Sequence, residues 1–282
     1  MSICDVCFRH CKIEENSIGF CGARTCRDGK ILADNYGILT CIALDPIEKK
    51  PLKMFRPDAK VLSIGSYGCN LRCPFCQNSS ISWSQNAFEY KNKAEYYSPE
   101  EIVQRALQLR SHGNIGIAFT YNEPLIGFEF VRDTAKLSKQ AGLENVLVTN
   151  GTATLKVLNE IVPYIDAMNI DLKAFSESFY NGLLNGDFQM VKDFIEGAAQ
   201  SCHIELTTLI IPDENDTEDE MQELSVWVAG LENKYNKKIP LHITRFFPSF
   251  NLTDKYPTPV NTIMNLVKTA KENLEFVFSG NI

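Results

Sequence analysis

At 282 residues and 44% hydrophobic content, the chain is long enough to bury one sizeable core and carry a small extra module. Its net charge of −7 gives no basic footprint for nucleic acid, and no run of about 18 apolar residues is available to span a membrane. The opening MSICDVCFRH lacks the apolar stretch of a secretory leader, so the expected compartment is the cytoplasm, where ten cysteines argue for metal or redox chemistry over disulfides.

In chain order, residues 1–58 read as a Cys-rich module and linker, with little apolar periodicity and a need for metal to fold. CDVCFRHCKIEENSIGFCGARTC spaces its thiols C-x2-C-x3-C-x9-C-x4-C. Cys4, Cys7, Cys11 and Cys21 form the expected ligand set, with Cys26 as a spare. Zinc and a second iron–sulfur cluster, such as [4Fe–4S], both suit these donors. Cys41 and Cys202 sit in apolar runs and read as small core residues. DPIEKKPL (Asp45–Leu52) reads as a rigid linker, or as a segment closing over the functional end through Glu48, Lys49 and Lys50.

Residues 59–282 alternate strand-like and helix-like segments, the pattern of parallel α/β architecture. The strands are VLSIGS, IGIAFT, NVLVTNG, IDAMNIDLKAF, HIELTTLIIP, IPLHITRFF and LEFVFSG. Helix starts are marked by capping boxes at Ser98/Glu101, with Pro99 at the first helical position, and at Thr217/Glu220. About 220 residues remain for this part, fewer than the about 250 of a full eight-stranded barrel, so the expected fold is a partial (β/α)6 TIM-type barrel. The acidic run PDENDTEDEMQE reads as a solvated helix start.

The most informative stretch is SIGSYGCNLRCPFCQNSS. Cys69, Cys73 and Cys76 are spaced C-x3-C-x2-C after the first strand of the alternating region. A [4Fe–4S] cluster takes four ligands, so three thiolates leave one iron open to an exogenous group. Phe75 can lay a ring near that iron, and Gly68 lets the backbone pass close by. A zinc site would need a fourth nearby ligand. FTYNEP, VTNG, IDLK and TLIIP then fall at successive strand ends, where functional groups of such folds collect.

This spacing, with an aromatic before the third cysteine, resembles the radical S-adenosylmethionine (SAM) superfamily. The resemblance implies that SAM itself is the missing ligand, through its amino and carboxylate groups. It also implies reductive cleavage of SAM to a 5′-deoxyadenosyl radical that abstracts hydrogen from a substrate. Carried onto this chain, the catalytic set is Cys69, Cys73 and Cys76, and the cofactor-binding set is Phe75, Asn78, Asn122, Glu123, Thr149, Asn150, Asp171, Lys173 and Leu209. Glu123 stands where the family has a GGE-type motif, with Tyr121 and Asn122 replacing the glycines; a solvated turn Glu is the plainer alternative. Asp171 and Lys173 resemble the segment near the SAM carboxylate in activases of glycyl-radical enzymes, or form a local ion pair. Val148 stands where cation-binding activases have Asp, a departure that leaves a cation site near SAM open. Leu209 resembles an adenine contact. In HITRFFP, His242 fits a core or a catalytic role, and Arg245 a substrate anion or an internal carboxylate.

Over nearly its whole length the chain is similar to the radical SAM enzymes of the AmmeMemoRadiSam system, through C-x2-C-x3-C, G-x-C-G-x-R at Gly19–Arg24, DPIEKKPL, FTYNEP and DLK. Cys26 departs from the Asn usual there, and the chain stops at FSGNI where many relatives continue. The resemblance implies a low-potential donor, flavodoxin or ferredoxin, and partners of Memo and AMMECR type or a protein substrate. The alternatives are an activase of pyruvate formate-lyase type, a non-catalytic iron–sulfur or zinc protein, and an RNA modifier, the last disfavoured by the acidic balance.

Overall fold

The structure, a computed structural model, describes every residue except 85, 86 and 88–93. An eight-stranded sheet forms its centre: β1 (Cys41–Pro46), β2 (Lys60–Gly65), β3 (Asn114–Phe119), β4 (Glu144–Thr149), β5 (Ala167–Asp171), β6 (His203–Ile210), β7 (Leu241–Arg245) and β8 (Val277–Gly280). The strands lie side by side in chain order. β1 runs antiparallel to β2, and the pairs from β2 to β8 are all parallel. Among the described residues, each of the six connections between β2 and β8 carries one longer helix: α1 (Pro99–Gln108), α2 (Phe128–Gln140), α3 (Leu155–Ile161), α4 (Phe188–Ser201), α5 (Glu218–Tyr235) and α6 (Val260–Ala270). This is the expected partial (β/α)6 barrel, with β8 following the sixth helix and β1 as an antiparallel edge.

The two faces of the strands explain the layering. Ile117 and Leu147 join the large core beneath the helices, while their neighbours Ala118 and Val146 join a separate inner cluster with Val61 and Ala167. Alternation with period two puts one set outward and the other inward. α1 starts at a complete capping box, with Ser98 accepting from the Glu101 N–H and Glu101 accepting from the Ser98 N–H. At α5 only half of the expected box forms. Thr217 accepts from the Glu220 N–H, but the Glu220 carboxylate turns to the Phe175 N–H at 2.6 Å.

The segment expected to be a linker is built into the barrel. Asp45 and Pro46 end β1, and Ile47 and Leu52 are fully buried against Val61, Ala118, Val146 and Ala167. The Asn169 side chain donates to the Pro51 carbonyl, and Glu205 accepts from the N–H groups of Lys53 and Met54. The strap therefore fills the barrel interior from the N-terminal end of the strands. Its two apolar side chains and its backbone donors are satisfied there, so the segment is part of the barrel core rather than a linker between modules.

Candidate active site

The C-terminal strand ends surround a cavity of about 300 Å³. One wall is the loop after β2. Cys69, Cys73 and Cys76 all face the cavity, and the Cys76 N–H bonds the Cys73 carbonyl to close the turn between them. Gly68 has φ +91°, and a Cβ there would meet the Cys21 carbonyl oxygen at 2.6 Å. Glycine is thus required by the approach of the N-terminal module behind the loop, not by the cavity in front of it. Burial pushes all three thiols up, Cys73 to about 11, and neighbouring cysteines add to the effect at Cys69 and Cys73. Only a bound cation reverses that preference, because the thiolate is the ligand form.

Asn122, after β3, ties this loop to the FTYNEP turn. It accepts from the Ser66 N–H and donates to the carbonyls of Tyr67 and Gly68. Asn78 donates to the Tyr121 carbonyl from the other side. Tyr121 holds a positive φ of 74°, costly for an aromatic residue, and its hydroxyl is anchored on Asp45 at 2.6 Å. Buried Lys50 pairs with the same carboxylate and lies over the Tyr121 ring. The strap thereby fixes the strained turn from below.

Glu123 is buried, and burial raises its carboxyl to about 7 against the Asn150 N–H, Thr149 hydroxyl and Leu125 N–H that favour the anion. Those contacts are 2.8, 2.7 and 3.0 Å. They leave Oε2 with one contact and room for another. Asn150 donates to Asn70 at 2.9 Å and lies 3.8 Å from the Cys69 sulfur. Across the cavity Lys173 pairs with Asp171 at 2.8 Å. Burial alone would discharge Lys173, but the charge and hydrogen bond of Asp171 oppose it and hold the amine charged. Leu209 on β6 and Phe75 complete the apolar lining. All twelve residues expected to hold the cofactors therefore border one space.

Three sulfurs on one wall, with no fourth cysteine among the lining residues, leave an incomplete ligand set for a four-iron cluster, and an ammonium acceptor and a charged amine face the same space. The donor chemistry fits a [4Fe–4S] cluster completed by an amino acid. The comparisons with known proteins agree. The family model of the Radical SAM superfamily matches residues 63–225. The chain belongs to the radical SAM superfamily. It is 36% identical over 282 residues to "Uncharacterized protein MJ0808" of Methanocaldococcus jannaschii, covering 99% of this chain and 81% of that protein. It is 22% identical to the pyruvate formate-lyase-activating enzyme of Clostridium pasteurianum, over 59% of this chain and 68% of that one. The crystal structure of QueE from Escherichia coli shares the fold with a TM-score of 0.56 at 12% identity, covering 87% of this chain and 93% of that one.

As a radical SAM enzyme, the chain uses a [4Fe–4S] cluster and SAM. Two expected substrate residues lie away from the cavity. His242 is buried on β7 with its Nε2 2.7 Å from Glu205, and Arg245 donates to the Thr258 carbonyl and stacks on Phe247. Each has an internal partner, and neither borders the cavity. Thr207 and Thr244 line the cavity instead, with Pro51, Ser82 and Asn281. Both threonines share an inward strand face with residues already singled out, Thr207 with Leu209 and Thr244 with His242. That two-residue spacing was the available signal.

Behind the triad loop, Cys4, Cys7, Cys11 and Cys21 border a second, small cavity. Cys26 lies apart, its sulfur 3.6 Å from Glu15. Among the described residues no three Cys, His, Asp or Glu side chains converge at the spacing of a single ion's ligands. No described helix is long and apolar enough to cross a membrane.

Proposed function

We propose that Cys69, Cys73 and Cys76 hold the [4Fe–4S] cluster and that SAM fills the adjoining cavity. When bound, the cluster and SAM supply a 5′-deoxyadenosyl radical that takes a hydrogen atom from substrate. The chain's own residues bind and orient. Lys173, held charged by Asp171, offers a charge-assisted contact to the SAM carboxylate. The free side of Glu123 Oε2 accepts from the ammonium, while its other bonds fix the VTNG turn. Leu209 packs on the adenine, and Asn122 and Asn78 lock the cysteine loop to the strained turn at Tyr121. The observation that carries this reading is the convergence of five successive strand ends, β2 to β6, on one cavity with three thiols at its wall. The N-terminal thiols form a second metal site in the same reading.

The test is anaerobic reconstitution with iron and sulfide, addition of SAM and dithionite, and quantification of 5′-deoxyadenosine beside the Cys73→Ala variant. Product from the native chain alone supports the reading. A cluster-loaded chain that binds SAM yet equals the variant contradicts it.

For the substrate, the AmmeMemoRadiSam-type motifs favour a role beside Memo- and AMMECR-type proteins, with electrons from flavodoxin or ferredoxin. Addition of those proteins should raise 5′-deoxyadenosine yield. The similarity to the Clostridium pasteurianum activating enzyme favours a second reading, in which the hydrogen donor is a glycine of a large enzyme. Deuterium transfer from a glycine-labelled protein into 5′-deoxyadenosine separates the two.

A further inference from the structure

We infer that Arg9 and Arg72 set the reduction potential of the cluster at Cys69, Cys73 and Cys76, Arg9 by orienting one peptide of the triad loop and both by the charge they supply. The inference rests on the reading of those three thiols as the cluster site and on nothing that the N-terminal thiols hold. It makes Arg9 a positioning residue through which the N-terminal module acts on the reaction.

Three consecutive carbonyls of the triad loop accept from these two guanidiniums. Arg72 donates from Nη1 to the Cys69 and Leu71 carbonyls at 2.9 and 2.8 Å, and from Nη2 to the Phe20 carbonyl at 2.5 Å. Arg9 reaches across from the N-terminal module. Its Nε donates to the Asn70 carbonyl at 2.8 Å, and its Nη2 to the Asn185 carbonyl at 2.6 Å. The Asn70–Leu71 peptide is planar and trans, so an oxygen held on one side turns the N–H to the other. That N–H donates to the Cys69 sulfur at 3.4 Å. Arg9 thereby aims an amide at a cluster ligand. Hydrogen bonds to the sulfurs favour the more negative, reduced cluster and are one of the levers on its potential.

The charge of the pair acts in the same direction. Arg9 and Arg72 lie over the Phe20 ring, 3.4 and 3.8 Å from its centroid. Both are half-buried, and among the described residues neither has a carboxylate partner; their hydrogen bonds all go to carbonyls. Burial and the neighbouring Arg9 charge both work against the Arg72 cation. The groups that favour the two cations are sulfurs: Cys69 and Cys21 for both, and Cys73 for Arg72. The Phe20 face adds a cation–π contact to each. A cluster on three thiolates is anionic and gains one more negative charge when reduced, and two cations without a carboxylate between them favour that gain.

Potentiometric titration of the full chain, reconstituted without oxygen and without SAM, tests this. The triad signal is the electron paramagnetic resonance signal that Cys73→Ala abolishes. In Arg9→Gln with full iron content, its reduced fraction at a fixed potential should fall roughly tenfold, a midpoint ~59 mV more negative. Arg9→Lys keeps the charge but loses the Nε contact, and its midpoint should fall between the two. It decides the point if Arg9→Gln takes up no iron, a native midpoint in Arg9→Lys then overturning the inference. Arg56→Gln removes an equal charge beside Glu144, at the opposite end of the barrel, and should leave the midpoint unchanged. An Arg9→Gln midpoint equal to or above the native one, or the same shift in Arg56→Gln, would overturn the inference and leave the cluster reading intact. A native chain with no signal that Cys73→Ala abolishes would overturn both.

Discussion

At the C-terminal ends of the strands, Lys173, Asp171, Glu123 and three thiols face a cavity; at the N-terminal ends, Glu205, His203 and His242 face one another. Both groups are polar residues inside one barrel. Glu205 accepts from His203, His242 and the N–H groups of Lys53 and Met54, between 2.7 and 3.0 Å. Burial would raise its carboxyl, but those four donors hold it down at about 2. The lower group is closed by the strap and holds structure. The upper group keeps unused donors and acceptors and is available for chemistry. Residue type alone does not separate the two ends; the completeness of their partners does.

The largest effect that would sharpen this contrast is Cys73→Ala, expected to lower 5′-deoxyadenosine yield by more than ~100-fold, beyond the 10–100-fold of a lost outer partner. The thermal midpoint of the metal-free chain should barely move. Glu205→Ala should do the reverse. It strands His242 and two strap N–H groups, costing about 3 kcal/mol or more, or a midpoint drop of roughly 6 °C or more by calorimetry. A Glu205→Ala protein as stable as the native chain would break the comparison.

The two glutamates should also give opposite pH slopes. Glu123 is raised from 4.5 to about 7 in the fold, so its contribution is complete below 4.5 and lost as pH rises towards 7. That window is worth about 3 kcal/mol, and Glu123→Gln should flatten it in denaturant titrations. Glu205 is lowered from 4.5 to about 2, so its contribution is present above 4.5 and fades as pH falls towards 2. Glu205→Gln should remove that acid limb. The smallest effect is Arg245→Ala, expected to change 5′-deoxyadenosine yield by less than ~2-fold because its guanidinium points to Thr258.

The barrel was legible because its strands and helices alternate with local signals, and the triad because its three cysteines lie within eight residues. That Glu123, Thr149, Asp171 and Lys173 border one cavity was foreshadowed by their positions at strand ends. For His242 the two readings left open could not be separated, since a strand residue's partner lies on another strand: Glu205 is 37 residues from His242. The strap was misread for the same reason. Its prolines and alternating charges suit a linker, and only the contacts of Ile47, Leu52 and Asp45 with distant strands make it the barrel floor. Thr207 and Thr244 passed as ordinary strand formers.

The most direct test of an open coordination position at the upper end is electron–nuclear double resonance of the reduced triad cluster with SAM carrying ¹⁵N in its amino group and ¹⁷O in its carboxylate. The account predicts couplings from both labels, persisting in Glu205→Gln and absent in Cys73→Ala. A cluster whose spectrum carries neither coupling, in a chain shown to bind SAM, would contradict it.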